Sequence, residues 1–236
     1  RRHTRCNRWS RGLGDVYKRQ LKGRPMAGKI RRILPESIQN TFFNLLTPLV
    51  KALTKWGVHP NSLTLGGLII TCMAAVALFK GHLRIGGVLI LLGGLCDSLD
   101  GNLARATGKA TRSGALLDSV IDRYAELVMF LGIAAYFITL KNYYILGVTF
   151  FALCGSIMVS YTRARAESLG FESKAGMMQR AERIVFLGAG ALIHPMAFKL
   201  AIWLVAILAN ITALQRLRRA AGQETGPGHH EPPIDR

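Results

Sequence analysis

Long apolar stretches separated by short polar turns dominate the sequence from residue 58 to residue 219. An α-helix needs about 20 residues to cross the roughly 30 Å of hydrocarbon in a bilayer. The pattern therefore predicts an all-α integral membrane protein with six transmembrane helices. Their expected limits are about 60–79, 83–105, 113–138, 143–165, 181–193 and 197–217.

The segments outside these helices have a different character. Residues 26–57 mix Lys and Arg with apolar residues at spacings near three and four, which predicts amphipathic helix in the membrane interface. Residues 1–25 are expected to be a non-native or disordered basic leader, and residues 220–236 a disordered polar tail. Pro60 marks the start of the first span, with Asn61 or Ser62 as its expected cap.

The charge distribution argues against nucleic acid as a partner, although the formal net charge is +18. Nine Lys or Arg residues lie within residues 1–25, and most of the others flank the apolar stretches on one side. Such a bias places the basic flanks in the cytoplasm. We therefore expect the lipid bilayer as the partner, a multi-pass protein of the plasma membrane, and polar helix ends that face the cytoplasm.

Four aspartates lie at the cytoplasmic ends of the second and third predicted spans. Asp97 and Asp100 are three residues apart, while Asp118 and Asp122 are four apart, so each pair shares one helix face. A short loop joins the two helices, which predicts antiparallel neighbours. The four carboxylates are therefore expected to converge.

Clustered carboxylates in a low-dielectric site repel each other unless cations neutralise them. Hard divalent ions, Mg²⁺ or Mn²⁺, accept such oxygen ligands and bind phosphates. Two such ions would stabilise the attacking and leaving oxygens of a phosphoryl transfer. Three alternatives stay open: helix caps or ion pairs with arginine, an ion-coupled membrane transporter, and a non-catalytic scaffold for anionic lipid.

The spacing around the aspartates follows the pattern D-x2-D-G-x2-A-R-x8-G-x3-D-x3-D. Eight residues meet it: Asp97, Asp100, Gly101, Ala104, Arg105, Gly114, Asp118 and Asp122. The sequence thereby resembles the CDP-alcohol phosphatidyltransferase family from about residue 29 to residue 219.

The resemblance implies that CDP-diacylglycerol is the donor and that the protein is a homodimer. It further implies that all four aspartates bind the metals and that Asp122 is also the catalytic base. Gly101, Ala104 and Gly114 would leave room for the cytidine nucleotide, with Arg105 and Thr111 near it.

Three arginine-rich helix ends predict the acceptor. They are residues 160–170, 179–188 and 215–219, and within them Arg163, Arg183 and Arg216 lie nearest the apolar helix bodies. Guanidinium groups bind a phosphate dianion through paired hydrogen bonds. A phosphorylated polyol is therefore the expected acceptor.

The first two of these segments resemble those of bacterial phosphatidylinositol-phosphate synthases, whose basic residues at these positions hold the acceptor phosphate. Arg163 replaces a frequent Lys, and Ala181 replaces a Pro. Inositol phosphate is the first expectation and glycerol phosphate the alternative.

Overall fold

The computed structural model describes residues 36–171 and 176–224, with side chains at 46–171 and 176–223. This part of the chain is helical, which confirms the all-α prediction. Its helices are α1 (Glu36–Lys55), α2 (Pro60–Phe79), α3 (Leu83–Ala106), α4 (Arg112–Thr139), α5 (Tyr143–Ser168), α6 (Arg180–Ile193) and α7 (Pro195–Glu224). Predicted segments 1–25 and 26–35, and residues 225–236 of the predicted tail, lie outside the described residues.

The helix starts have local causes in the sequence. Pro60 opens α2 as predicted, but His59 is the cap, because its Nδ1 accepts a hydrogen bond of 3.3 Å from the Asn61 amide. Thr111 caps α4 by accepting from the Gly114 amide at 3.0 Å. Gly108 has a φ of 66° in the turn before α4, a conformation that favours glycine.

The last two helices are separated by a single residue. His194 is extended, with φ −167° and ψ 149°, and Pro195 begins α7 directly after it. α6 has 14 residues and is therefore about 21 Å long, less than the bilayer hydrocarbon. α7 continues to Glu224, so it extends through residues 220–224, which the sequence had assigned to a disordered tail.

α2 lies against both aspartate-bearing helices, α3 and α4. Its packing on α4 is close, since a Cβ at Gly132 would lie 2.4 Å from the Cα of Ala75. α3 packs on α6, and α7 packs on both α5 and α6. The expected antiparallel neighbours α3 and α4 are thus joined mainly through α2.

The apolar core occupies the half of the bundle away from the aspartates. It draws on the first halves of α3, α5 and α7 and the second halves of α2, α4 and α6, and Met178 before α6 joins it. Phe137 and Phe198 stack with ring centroids 5.9 Å apart, and Tyr136 meets Phe137 edge-on at 5.1 Å. Packing in this half fixes the helices that carry the site residues at their other ends.

Three of the described helices are long and apolar enough to cross a membrane: Pro60–Phe79, Tyr143–Ser168 and Pro195–Gln223. Their outer faces expose large apolar side chains, among them Ile69, Met73 and Phe150, each more than half exposed. A face of this kind suits contact with lipid. The C-terminal half of α3 and the N-terminal half of α4 have acidic and basic residues, and α6 is short.

Candidate active site

The aspartates of α3 and α4 converge at the end of the bundle where α3 ends and α4 begins. Carboxylate oxygens of Asp97, Asp100 and Asp118 all lie within 4.8 Å of one another. Asp100 is 3 % exposed, and the other two are partly buried. The convergence predicted from the helical spacing is therefore present for these three residues.

The cluster fits a hard divalent cation. Among the residues that the structure describes, Asp100 Oδ2 and Asp118 Oδ1 are buried without a hydrogen-bond partner. Buried carboxylate oxygens without a partner are costly. Since oxygen ligands of this type are those that Mg²⁺ and Mn²⁺ prefer, the donor set suits either ion.

Asp122 meets an arginine that the sequence interpretation did not single out. Nη1 of Arg180, at the start of α6, lies 2.6 Å from Asp97 Oδ1 and also donates to Asp122 Oδ1. Arg180 therefore joins an aspartate of α3 to an aspartate of α4. Its role could not be foreseen, because it depends on which face of α6 turns toward α4.

A cavity of about 170 Å³ lies between α2, α3 and α4. All the residues that the resemblance assigns to the nucleotide line it, together with two of the aspartates: Asp100, Gly101, Ala104, Arg105, Thr111, Gly114 and Asp118. Lys109 and Asn61 also line it. We call this space the nucleotide cavity.

The two glycines of the motif differ in their surroundings. A Cβ at Gly101 would meet only the Arg105 guanidinium group, at 3.7 Å, so the space above Gly101 is open. A Cβ at Gly114 would lie 2.9 Å from the Thr111 hydroxyl, the group that caps α4. Gly101 leaves room in the cavity, whereas the missing side chain at Gly114 leaves room for the Thr111 hydroxyl that caps α4.

A second cavity, of about 520 Å³, lies between α4, α5, α6 and α7. The three predicted arginines all line it, and so do Arg123 and Arg180. Asp118 and Asp122 also line it, so this cavity adjoins the aspartates. We call this space the acceptor cavity, a basic chamber that adjoins the aspartates.

The predicted arginines are held in different ways. Arg163 is about half exposed and pairs with Glu167 at 2.9 Å. Arg216 is 5 % exposed, and its Nη1 donates to the Val159 carbonyl at 2.6 Å. Arg183 is only 1 % exposed, and its guanidinium group is engaged by Glu126.

The match to known proteins agrees with this geometry. The sequence profile of the CDP-alcohol phosphatidyltransferase family matches residues 57–213. The chain belongs to this family.

Two relatives illustrate the similarity. The archaetidylinositol phosphate synthase of Pyrococcus horikoshii is 40 % identical over 171 residues, which are 72 % of this chain and 87 % of the relative. The phosphatidylinositol phosphate synthase of Mycobacteroides abscessus is 33 % identical over 199 residues, 80 % of this chain and 88 % of the relative.

Crystal structures of the Mycobacterium tuberculosis phosphatidylinositol phosphate synthase share the fold. The form with CDP-DAG bound superposes with a TM-score of 0.70 and 29 % identity, covering 81 % of this chain and 100 % of that one. The form in complex with manganese and citrate has a TM-score of 0.68 and 32 % identity, covering 80 % and 92 %. The chain therefore shares the all-helical fold of this enzyme.

Proposed function

We propose that this protein transfers the phosphatidyl group of CDP-diacylglycerol to inositol phosphate, giving phosphatidylinositol phosphate and CMP. The observation that carries the proposal is the shared wall of two cavities. Asp118 lines both the nucleotide cavity and the basic acceptor cavity. A donor diphosphate in the first and an acceptor hydroxyl from the second would meet at the aspartates.

The donor nucleotide would lie in the nucleotide cavity against the open surface of Gly101. Arg105 is exposed at this site and its Nη2 is held by Asn102 at 3.1 Å, which directs a cation toward a bound phosphate. The donor's diphosphate would then extend toward Asp100 and Asp118. This arrangement directs the phosphorus on the lipid side toward the acceptor cavity.

The acceptor phosphate would be held by Arg163, Arg180 and Arg216, whose guanidinium groups come from three different helices. Arg183, which the sequence pattern placed in this set instead of Arg180, would contribute positive charge from the cavity wall, because Glu126 already engages its guanidinium group. A choline or ethanolamine acceptor would require acidic or aromatic residues in place of these arginines. The five arginines of the cavity wall thus favour an acceptor that carries its own phosphate.

In the chemical step, the acceptor hydroxyl oxygen forms a bond to the lipid-side phosphorus, and the bond from that phosphorus to the bridging oxygen breaks. CMP leaves with that bridging oxygen. Asp122 borders the acceptor cavity and would take the hydroxyl proton as the general base. The carboxylate needs no covalent bond to the substrate.

Asp97, Asp100, Asp118 and Asp122 would hold two Mg²⁺ or Mn²⁺ ions. Bound there, the ions supply positive charge for the phosphoryl oxygens and for the developing alkoxide. Manganese in the related M. tuberculosis crystal structure supports this choice of metal. The partnerless oxygens of Asp100 and Asp118 support it independently.

We further infer that α2 to α7 form a six-helix membrane domain, in which the 14-residue α6 is too short to cross the hydrocarbon alone. In this proposal α1 lies in the interface and the aspartates face the cytoplasm of a plasma membrane. The basic helix ends near the site support this orientation. The homodimer implied by the family resemblance is part of the same proposal. Cross-linking in native vesicles tests the dimer, and cysteine accessibility on either side of the vesicle tests the orientation.

The deciding experiment incubates purified protein with CDP-diacylglycerol, Mg²⁺ and one candidate acceptor at a time. Inositol phosphate, glycerol phosphate, inositol and serine are compared by CMP release and by the mass of the lipid product. We expect phosphatidylinositol phosphate. A glycerol phosphate product would overturn the acceptor assignment, and the absence of CMP with every acceptor would overturn the reaction.

A further inference from the structure

The acidic face of α4 continues one turn beyond the aspartates. Glu126 follows Asp122 by four residues, just as Asp122 follows Asp118, so the three side chains share one face. Glu126 is 3 % exposed and lines neither the nucleotide cavity nor the acceptor cavity. It lies behind the wall of the acceptor cavity.

Glu126 contacts two arginines of that wall. Its Oε1 accepts hydrogen bonds from Nε and Nη2 of Arg183, at 2.8 and 2.6 Å. Its Oε2 lies 3.7 Å from Nη1 of Arg123. A buried guanidinium group without a partner is strongly unfavourable, so this carboxylate fixes where Arg183 lies.

Arg183 extends the connection to the segment before α6, in which Gln179 lines the acceptor cavity. Its Nη1 donates to the Met178 carbonyl at 3.4 Å. The Met178 amide in turn donates to Thr212 Oγ1 at 3.1 Å. Thr212 is fully buried on α7, one turn before Arg216, and Arg180 follows Met178 by two residues.

We propose that Glu126 is a positioning residue for acceptor binding, which acts through Arg183 and the Met178 backbone to hold Arg180 and Arg216 at the correct separation. This inference rests on the proposed function. Glu126 touches neither substrate, and it fixes α4, α6 and α7 relative to one another at the cavity. Neither the motif of the aspartates nor the arginine-rich helix ends include this residue.

Electrostatics and positioning predict opposite results for the same substitution. Glu126→Gln makes the surroundings of the cavity more positive, so electrostatic attraction alone would lower the KM for a phosphorylated acceptor. Loss of positioning would raise that KM, because the arginines would no longer be held for the phosphate. The sign of the change therefore separates the two roles.

The experiment measures CMP release in two titrations. In the first, the phosphorylated polyol is varied at saturating CDP-diacylglycerol; in the second, CDP-diacylglycerol is varied at saturating polyol. For Glu126→Gln we expect the acceptor KM to rise about tenfold, with a much smaller change in the donor KM. Glu126→Asp retains the charge on a shorter side chain and should give an intermediate value. An acceptor KM that falls or stays constant in Glu126→Gln would overturn the proposal.

A second comparison covers the case in which Glu126→Gln does not fold. The double variant Glu126→Gln/Arg183→Gln removes both buried charges, which often restores stability. We expect its Tm to recover. Because Arg183 also contributes charge to the acceptor cavity, the acceptor KM is read from Glu126→Gln/Arg183→Lys, which keeps that charge without the paired hydrogen bonds of a guanidinium group. A raised acceptor KM in this second variant supports positioning, and a wild-type acceptor KM would overturn it.

Phe198→Leu serves as the control, because it loosens the core at the other end of α7. We expect it to lower Tm and leave the acceptor KM unchanged. Should the acceptor KM rise in this variant as it does in Glu126→Gln, general destabilisation would explain the effect and the proposal would fall. The series uses whichever phosphorylated polyol the wild-type protein turns over, so an error in the inositol assignment leaves this test intact.

Discussion

Nη1 of Arg180 lies 2.6 Å from Oδ1 of Asp97, which places a cation from α6 beside a carboxylate expected to bind metal. The same guanidinium group reaches Asp122 and lines the acceptor cavity. Arg180 therefore lies where the aspartates meet the acceptor cavity. Substitutions at Arg180 should therefore affect both metal binding and acceptor binding.

Arg180→Gln removes a positive charge that competes with cations for Asp97 and Asp122. We expect Mn²⁺ to bind several-fold more tightly, because the local repulsion falls, and the acceptor KM to rise. Paramagnetic resonance titration measures free Mn²⁺, and CMP release gives the KM. Arg165→Gln is the matched control, since Arg165 is exposed and does not line the cavity; equal effects in both variants would contradict the assignment.

Asp122→Asn should lower kcat by about 10²-fold or more at every metal concentration, because a general base is lost. Asp100→Asn should instead raise the Mg²⁺ or Mn²⁺ concentration needed for half-maximal CMP release. Metal titration of both variants separates the two roles. Unchanged CMP formation in Asp122→Asn would remove Asp122 as the base.

Removal of metal tests the cluster itself. Chelation with EDTA should abolish CMP release, and added Mg²⁺ or Mn²⁺ should restore it, since the four carboxylates need cations to bind a diphosphate. Ca²⁺, which is larger and coordinates less regularly, should restore less activity. Full activity of the chelated protein, confirmed by metal analysis, would contradict a metal-dependent reaction.

Gly101→Leu should raise the KM for CDP-diacylglycerol without lowering Tm. The space above Gly101 is open within the protein, so a larger side chain displaces the nucleotide rather than a neighbouring residue. The acceptor KM should change little. Gly66→Leu, also without a close neighbour, is the control on α2, and a donor KM raised equally there would refute the nucleotide site.

Gly132→Ala should lower the free energy of unfolding by about 1–3 kcal/mol, the usual effect of overpacking. The added methyl group would lie 2.4 Å from the Ala75 Cα, where only a backbone shift relieves the clash. Gly147→Ala, with nothing within 4 Å, should be neutral or stabilising by up to about 1 kcal/mol. Thermal unfolding in detergent compares the pair, and similar Tm values would show that α2 and α4 pack less closely.

The aspartates could be predicted from sequence because helical spacing alone places each pair on one face. Thr111 and Gly101 followed from the family pattern, and both line the nucleotide cavity. Arg180 and Glu126 were missed because their roles depend on how α6 rotates against α4. For Glu126 a signal existed: it continues the four-residue spacing of Asp118 and Asp122.

The packing of α3 and α4 was harder to predict for a related reason. A short connection suggests direct contact, but both helices pack mainly on α2, and the nucleotide cavity lies between α2, α3 and α4. Residues that leave space, such as Gly101, resemble residues that permit close packing, such as Gly132, when only the sequence is considered. The difference lies in the neighbouring helix, which no local pattern contains.

Ala115 and Asp118 are common to the walls of both cavities. One synthetic compound could therefore extend from the nucleotide cavity into the acceptor cavity past these two residues. A cytidine group tethered to a phosphorylated ring would present its second half at an effective concentration in the millimolar range or above. Such a bisubstrate inhibitor would gain affinity because both cavities are filled by one molecule. The linker length that gives the tightest binding would report the distance between the two bound groups.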